Sequence, residues 1–156
     1  MESLQKGNLP SKFLHWIGSF LRNRSQFVNI KEVNSILKPV TSGVPQGSVI
    51  APFLFAAHMG SLTPHHSRTN MTKYADDIVS VTPVEDLSDV EILIANEISC
   101  VDSWCQSHGL QLNVQKTNIM IPTKATIQVP LLQGIEISSD LKILGLTFNE
   151  KLKWDN

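Results

Sequence analysis

The spacing of apolar residues predicts an amphipathic helix near the start of the chain. Pro10 opens this helix, because proline suits a first helical turn, and Asn8 is available as a cap. The helix is expected to end near residues 22–24. Its apolar stripe consists of residues three or four positions apart, namely Phe13, Trp16, Ile17, Phe20 and Leu21.

A second amphipathic helix is predicted over residues 86–108, and Gly109 is placed to stop it. Two residue pairs have the spacing of a capping box and of a hydrophobic staple, Ser88 with Glu91 and Leu87 with Ile92. The apolar stripe of this helix comprises Val90, Ile94, Ile98, Val101 and Cys105.

A loop rich in turn-forming residues, 43–48, leads into an apolar segment, 49–62, in which Pro52 fits only within a first helical turn. Short β-prone runs are predicted to be strands at 26–31, 33–40, 71–75, 78–81, 118–122, 127–132, 133–137 and 141–148. The runs on either side of residues 76 and 77 predict a hairpin. This order of elements predicts an α+β fold in which an antiparallel sheet packs on helices.

The composition is typical of a globular protein, with 42% hydrophobic and 17% charged residues. The longest apolar run, 49–57, is shorter than the roughly 20 residues of a membrane span, and the N-terminus has no secretion signal. We therefore expect an intracellular protein, in the nucleus or cytoplasm, without a membrane partner. Cys100 and Cys105 would point away from each other on a helix, which predicts two reduced thiols with Cys105 in the core.

Charge is distributed unevenly along the chain. Residues 1–73 contain eight Lys or Arg and two acids, whereas residues 74–102 contain eight acids and no Lys or Arg. This pattern suits a protein that contacts phosphates with one segment and holds cations with another. For the acids of residues 85–102, the expectation is the simpler one of a solvated helix face.

Asp76 and Asp77 are adjacent carboxylates between two β-prone runs. In an extended strand they would point to opposite faces, but at the tip of a tight hairpin both can be presented together. Hard divalent cations such as Mg²⁺ take oxygen ligands and need only one or two carboxylates beside substrate phosphates. Most Asp-Asp turns have no such role, so the surrounding sequence must decide.

The surrounding sequence contains an ordered series of motifs. Residues 43–52 (GVPQGSVIAP), 74–77 (YADD), 109–117 (GLQLNVQKT) and 141–145 (LKILG) resemble motifs B, C, D and E of the non-LTR (LINE-type) retrotransposon reverse transcriptases. The resemblance covers nearly the whole chain. It implies a partial polymerase palm with a remnant of fingers, divided into 1–40 before motif B, 41–62, 71–82, 86–108, 109–122 and 133–148.

The resemblance also implies roles for individual residues. Asp76 would be the main metal ligand and Asp77 its support, while Tyr74 would lie beneath the primer terminus or incoming nucleotide. Lys116 would protonate or stabilise the departing pyrophosphate. The pocket for nucleotide and template would be lined by Pro45, Gln46, Gly47 and Ser48. The primer grip would include Leu144 and Gly145. Weak template phosphate contacts would come from Arg22, Arg24, Lys31 and Lys38. Each role has an ordinary alternative. The motif B loop would be a turn before a helix, Lys116 a solvated lysine, Leu144 and Gly145 part of a core strand, and the four basic residues solvated side chains.

The family pattern extends beyond this chain at both ends. Motif A, with the third catalytic aspartate, is expected upstream of Met1, together with most of the fingers, and a thumb is expected after Asn156. We therefore expect an internal segment of a polymerase or an open reading frame left by a decayed element.

Three hypotheses follow from the sequence. The first is an RNA-directed DNA polymerase that uses Mg²⁺ or Mn²⁺, an RNA template, a DNA primer and dNTPs, with this chain inactive alone. The second is a non-catalytic nucleic-acid-binding or structural remnant, and the third is a segment that does not fold stably.

Overall fold

The computed structural model describes residues 9–122, 131–132, 134–151 and 154–155. These residues form three α-helices, two 3-10 turns and eleven short strands. The chain divides into two compact units between Ser61 and Leu62. No helix within the described ranges has the length and apolar character needed to cross a membrane.

The predicted N-terminal helix is confirmed as α1, Ser11–Leu21. Pro10 occupies its N-cap without a side-chain cap hydrogen bond, and the expected cap, Asn8, lies outside the described residues. Ile17 is completely buried and forms the centre of the first unit's core with Leu54. Partly buried side chains complete this core, namely Leu9, Leu14, Phe20, Leu21, Val44, Ile50 and Ala57.

Leu54 belongs to α2, Ala51–Met59, where Pro52 lies in the first turn as predicted. A proline there loses no helical hydrogen bond, because the first amides of a helix have no partner within it.

Between α1 and α2, the predicted strands at 26–31 and 33–40 are wrong in extent, since each is divided into two. Strand β1, Arg24–Gln26, pairs antiparallel with β4, Lys38–Val40. Inside that pair, β2, Asn29–Ile30, is antiparallel to β3, Val33–Asn34. The four strands form two nested hairpin pairs.

The division has a local cause at Val28 and Ser35. The Ser35 amide donates to the Val28 carbonyl at 2.9 Å, as in a strand ladder. The return bond from the Val28 amide, also at 2.9 Å, goes to the Ser35 hydroxyl in place of a backbone carbonyl. The inner pair turns at Lys31 and Glu32, whose φ angles are 45° and 69°. Positive φ at both central residues is typical of a two-residue hairpin turn that matches strand twist.

The long helix of the second unit is confirmed as α3, Val90–Ser107. Its start differs from the prediction, because the carboxylate of Asp86 accepts a hydrogen bond from the Ser88 amide at 2.9 Å. This cap precedes a 3-10 turn, Leu87–Asp89, so Ser88 does not form a capping box. The two residues of the predicted staple, Leu87 and Ile92, are 45% and 63% exposed, so neither belongs to the core.

The end of α3 follows the prediction. Gly109 has a φ of 70°, the left-handed conformation that glycine adopts without a Cβ penalty. The amide of Leu110 donates to the Cys105 carbonyl at 2.8 Å, and that of Gly109 donates to Gln106 at 3.3 Å. These two bonds form a Schellman motif, which closes the helix at Gly109.

The apolar stripe of α3 packs against the chain that follows it. Buried Ile119 and Ile135 form a second core, with Ile94, Ala95, Ile98, Ile121 and Ile137 packed around it. Cys105 is buried and both cysteines are free thiols, as predicted.

The remaining strands are short. Strands β7, Leu131–Leu132, and β8, Ile135–Glu136, pair with each other. A three-stranded antiparallel sheet is formed by β9, Asp140–Ile143, β10, Leu146–Asn149, and β11, Trp154–Asp155.

The other two predicted strands of this region are only partly represented. The one at 118–122 is reduced to a single parallel bridge between Ile119 and Ile137. Most of the one at 127–132 lies outside the described residues.

The mixture of helices and antiparallel strands agrees with the predicted α+β class. The expected continuous sheet is wrong for the described residues, where the strands form five separate sheets of two or three strands. Each pairing joins strands close along the chain, so local turns determine the sheets.

Candidate active site

The two candidate metal ligands lie at the end of the hairpin formed by β5, Asn70–Tyr74, and β6, Asp77–Val81. Tyr74 pairs with Asp77, so the two-residue turn consists of Ala75 and Asp76. The predicted hairpin is therefore confirmed, but its tip differs by one residue. Asp76 lies in the turn, whereas Asp77 is the first residue of β6, because only two residues separate the last paired positions.

The register determines which side chains share a face of the hairpin. Residues directly opposite each other in an antiparallel pair project to the same side, so Tyr74 and Asp77 are neighbours on one face. Both are exposed, Tyr74 to 65%. Lys73 and Ile78 form the next pair, lie on the opposite face and are partly buried. The hairpin thus has an open face with an aromatic ring beside a carboxylate.

The base of the hairpin is joined by side-chain contacts. The hydroxyls of Thr69 and Thr82 are 2.8 Å apart, and Arg68 forms an exposed ion pair with Glu85. On the inner face, Lys73 donates from Nζ to the Leu62 carbonyl at 2.5 Å. Burial lowers the pKa of the Lys73 ammonium group, because the charged form loses solvation there.

The candidate nucleotide loop, 43–48, belongs to the first unit and contains turns as predicted. Gly43 and Gly47 have φ angles of 75° and 80°, which a side chain would strain. Pro45 is half-buried, while Gln46 and Gly47 are exposed. The Ser48 hydroxyl is buried without a hydrogen-bond partner in the described part of the chain.

Arg24 holds this loop against the end of α1. Its Nε donates to the Leu21 carbonyl at 2.9 Å, and its guanidinium also donates to Gly43 at 2.5 Å and Ser42 at 3.5 Å. The Nε and one terminal nitrogen of Arg24 therefore donate to backbone carbonyls, and its phosphate contact stays a prediction. The other three candidates, Arg22, Lys31 and Lys38, are exposed.

Lys116 and the pair Leu144–Gly145 lie elsewhere in the second unit. Lys116 is exposed at the end of a 3-10 turn, Val114–Lys116, whose N-cap Asn113 accepts from the Lys116 amide at 3.3 Å. Leu144 and Gly145 form the turn between β9 and β10, with φ angles of 49° and 91°. The alternative of a core strand is wrong for Leu144, which is 58% exposed.

Comparison with known proteins identifies the family. Residues 1–148 match the family described as reverse transcriptase (RNA-dependent DNA polymerase). The chain belongs to the reverse transcriptase family. This confirms the resemblance that motifs B to E indicated.

Similar proteins come from mobile elements of Drosophila melanogaster. The RNA-directed DNA polymerase from mobile element jockey is 25% identical over 157 residues, with 92% of this chain and 17% of the relative aligned. A protein of transposon BS is 26% identical over 156 residues, with the same coverage. A 115 kDa protein in the type-1 retrotransposable element R1DM is 28% identical over 121 residues, covering 74% of this chain and 12% of the relative.

This reverse transcriptase chain therefore spans about a sixth of the length of the first two relatives. No solved structure matches it.

Asp76 and Asp77 give this reverse transcriptase chain two neighbouring exposed carboxylates. Within the described ranges, no group of three His, Cys, Asp or Glu side chains is placed to hold a metal ion. Mg²⁺ binds through one or two protein carboxylates and completes its coordination with water and phosphate oxygens. The pair therefore fits part of a magnesium site, with the remaining ligands supplied from elsewhere.

One buried acid of this reverse transcriptase chain was not predicted. Glu97 was expected on a solvated face of α3, but it is only 9% exposed. Its position is seven residues after Val90 and four before Val101, so it lies on the buried stripe. An acid at a stripe position is the sequence signal that could have indicated it.

Proposed function

We propose that this chain is the part of a retrotransposon RNA-directed DNA polymerase that contributes the metal-binding hairpin to template-directed nucleotidyl transfer. The observation that carries the proposal is the exposed pair of carboxylates at the β5–β6 turn in a chain of the reverse transcriptase family. Asp76 and Asp77 would hold the divalent ions. Two such ions, when bound, stabilise the attacking and leaving oxygens of the phosphoryl group.

The hairpin supports distinct roles for its neighbouring groups. Tyr74 would support the primer terminus or incoming nucleotide, because its ring lies on the open face beside Asp77. Asp76, in the turn, would be the main ligand, and Asp77 would support it. Such a site works mainly by positioning and electrostatics. The rate of nucleotidyl transfer would therefore depend on how closely the two carboxylates hold the ions to the reacting phosphate.

The motif positions outside the hairpin would contact the substrates. Pro45, Gln46, Gly47 and Ser48 would line the nucleotide and template pocket, where glycines allow close backbone approach. Lys116 is exposed and would stabilise the departing pyrophosphate. Leu144 and Gly145 would contact the primer at the β9–β10 turn, and Arg22, Lys31 and Lys38 would contact template phosphates.

Asp76 is tested by Mn²⁺ binding to the 156-residue chain, followed by electron paramagnetic resonance. We expect Asp76→Asn to weaken binding about tenfold or more, because the ion loses a charged ligand, and Asp77→Asn to weaken it less. Asp89→Asn is the matched control, since Asp89 is an exposed aspartate of the same unit outside the hairpin. If all three variants bind Mn²⁺ with the affinity of the unaltered chain, the result would refute a metal site at the hairpin.

Primer extension tests the second part of the proposal. We expect no extension by this chain alone with Mg²⁺ or Mn²⁺, and extension by the longer polymerase that we propose contains it. Extension by the chain alone that disappears in Asp76→Asn would show that the described carboxylates suffice for catalysis.

The second candidate is a non-catalytic nucleic-acid-binding remnant. The excess of basic residues in the first unit supports it, because such charge binds phosphates without sequence preference. It predicts salt-sensitive RNA binding together with Mn²⁺ affinity that does not depend on Asp76.

A further inference from the structure

Glu97 links three elements around the hairpin. From α3, its Oε2 accepts a hydrogen bond from the His65 amide at 3.0 Å, and its Oε1 accepts one from the Ser80 hydroxyl at 3.3 Å. His65 belongs to the loop that precedes β5, and Ser80 belongs to β6. One carboxylate therefore connects the helix, the loop and the metal-binding hairpin.

A carboxylate at this buried stripe position is less favourable than an apolar side chain would be. Burying a charged group costs free energy unless hydrogen bonds compensate, and an apolar residue would pack against the core without that cost. Both carboxylate oxygens of Glu97 have donors, a backbone amide and a hydroxyl. Such bonds are directional, so Glu97 specifies one orientation of the hairpin on α3 where apolar packing would allow several.

The orientation matters because the hairpin is a separate two-stranded sheet. A two-stranded hairpin alone is at best marginally stable in water, so its position depends on what it contacts. Ser80 is three residues from Asp77 on the same strand, a distance of about 10 Å along an extended chain. A tilt of β6 at Ser80 would therefore move both candidate metal ligands.

We propose that Glu97 is a positioning residue that holds Asp76 and Asp77 in place for metal binding by fixing the β5–β6 hairpin on α3. This inference rests on the proposed function for its catalytic consequence, but its structural part can be tested independently. Glu97 acts through Ser80 and the loop and does not itself contact the metal or substrate.

The first test is amide hydrogen exchange on the 156-residue chain and its Glu97→Ala variant. We expect hairpin amides at residues 73–78 to exchange about tenfold faster in the variant, since the variant lacks a charged hydrogen bond to the hairpin. Amides of the β9–β10 hairpin, in the same unit, should be unchanged. Glu91→Ala, an exposed acid of the same helix, is the matched control.

A general structural role would accelerate exchange in both hairpins. That result, or no acceleration in either, would overturn the proposal. If Glu97→Ala does not fold, Ser80→Ala removes only the bond to β6 and should loosen the same amides. Glu97→Gln should restore most of the protection, because an amide can accept from His65 and donate to the Ser80 oxygen.

The second test is catalytic and uses the longer polymerase. We expect Glu97→Ala to lower kcat by about 10²-fold, as for a misplacement of about 1 Å, with the KM for dNTP nearly unchanged. Unchanged kcat despite looser hairpin amides would overturn the catalytic consequence. If Asp76→Asn, with Glu97 in place, binds Mn²⁺ as tightly as the unaltered chain, the proposed function fails. Hydrogen exchange still decides the role of Glu97 in that case.

Discussion

Cys100 and Cys105 lie in one helix but in different environments. Cys105 is buried on the stripe of α3, whereas Cys100 is half-buried and its Sγ donates to the Thr63 carbonyl at 3.6 Å. Burial raises the pKa of the Cys105 thiol, and the nearby Asp102 carboxylate raises it further. The thiolate is the reactive form of cysteine, so Cys105 has less of it at neutral pH than an ordinary thiol.

We expect iodoacetamide to modify Cys105 several-fold more slowly than Cys100 in the native chain at neutral pH. The rate at Cys105 should increase only at more alkaline pH than for an ordinary thiol, because its pKa is raised. Peptide mass mapping over a pH series measures both sites, and the chain in urea is the control, where both rates should agree. Faster modification of Cys105 in the native chain would contradict its burial.

Single residues also mark the limit of prediction from the sequence. The stripe of α3 was predictable from spacing, and with it the burial of Cys105. The burial of Glu97 was missed despite its stripe position, because the acids of this segment were all taken as solvent-facing. Its donors, the His65 amide and the Ser80 hydroxyl, are 32 and 17 residues away, and only the folded chain brings them together.

At the scale of elements, the turn of the β5–β6 hairpin contains a strained residue. Ala75 has a φ of 51°, a conformation that places its Cβ close to backbone atoms. The left-handed region costs an ordinary residue roughly 1–2 kcal/mol, and glycine avoids this cost.

We expect Ala75→Gly to stabilise the second unit by up to about 1 kcal/mol, since relief of strain exceeds the added entropy of the unfolded chain. Urea unfolding measures the change, and Mn²⁺ affinity should be retained because both carboxylates remain. Ala95→Gly, within α3, is the control of opposite sign and should destabilise by at least roughly 0.5–1 kcal/mol. Destabilisation by Ala75→Gly would show that this turn does not require positive φ.

The ends of elements were harder to predict than their existence. Both long helices were predicted, but the start of α3 differs. Ser88 was expected to cap the helix, whereas its amide donates to the carboxylate of Asp86, which caps the preceding 3-10 turn. Similarly, the side chain of Ser35 interrupts a strand that β-propensity alone would continue. Such competition between side chains and backbone depends on single hydrogen bonds, which spacing does not reveal.

At the scale of the whole molecule, the two units have opposite charge. Residues 1–61 contain six Lys or Arg and two acids, whereas residues 62–156 contain seven Lys or Arg and twelve acids. Binding of single-stranded nucleic acid to exposed basic residues releases counterions and weakens as salt increases. Among the four basic candidates, Arg24 differs because its guanidinium donates to the backbone carbonyls of Ser42 and Gly43.

We expect Arg22→Gln, Lys31→Gln and Lys38→Gln together to weaken RNA binding and to lower the salt slope by about 0.7 for each phosphate that is no longer neutralised. Fluorescence anisotropy with an RNA oligonucleotide over a salt series measures both. Lys142→Gln with Lys151→Gln, exposed lysines of the acidic unit, is the control and should have little effect. Binding independent of ionic strength would contradict an electrostatic interaction with phosphates.

The family could be identified from the order of four motifs, and the α+β class from the order of elements. The division into five small sheets could not, because strand propensity does not specify partners. Each strand of residues 24–40, for example, has two or three residues, and its pairing depends on the turn at Lys31 and Glu32.

The hairpin register has a consequence for how related sequences can differ in length. Asp77 and Ser80 are separated by an odd number of positions, so the carboxylate lies on the open face and the hydroxyl lies toward Glu97. Loss of one codon between them would reverse that parity and bring Ser80 to the wrong side. Loss of two codons would restore parity but shorten the strand by about 7 Å. In related sequences that retain both aspartates of the hairpin, the number of codons between these two positions should therefore be the same.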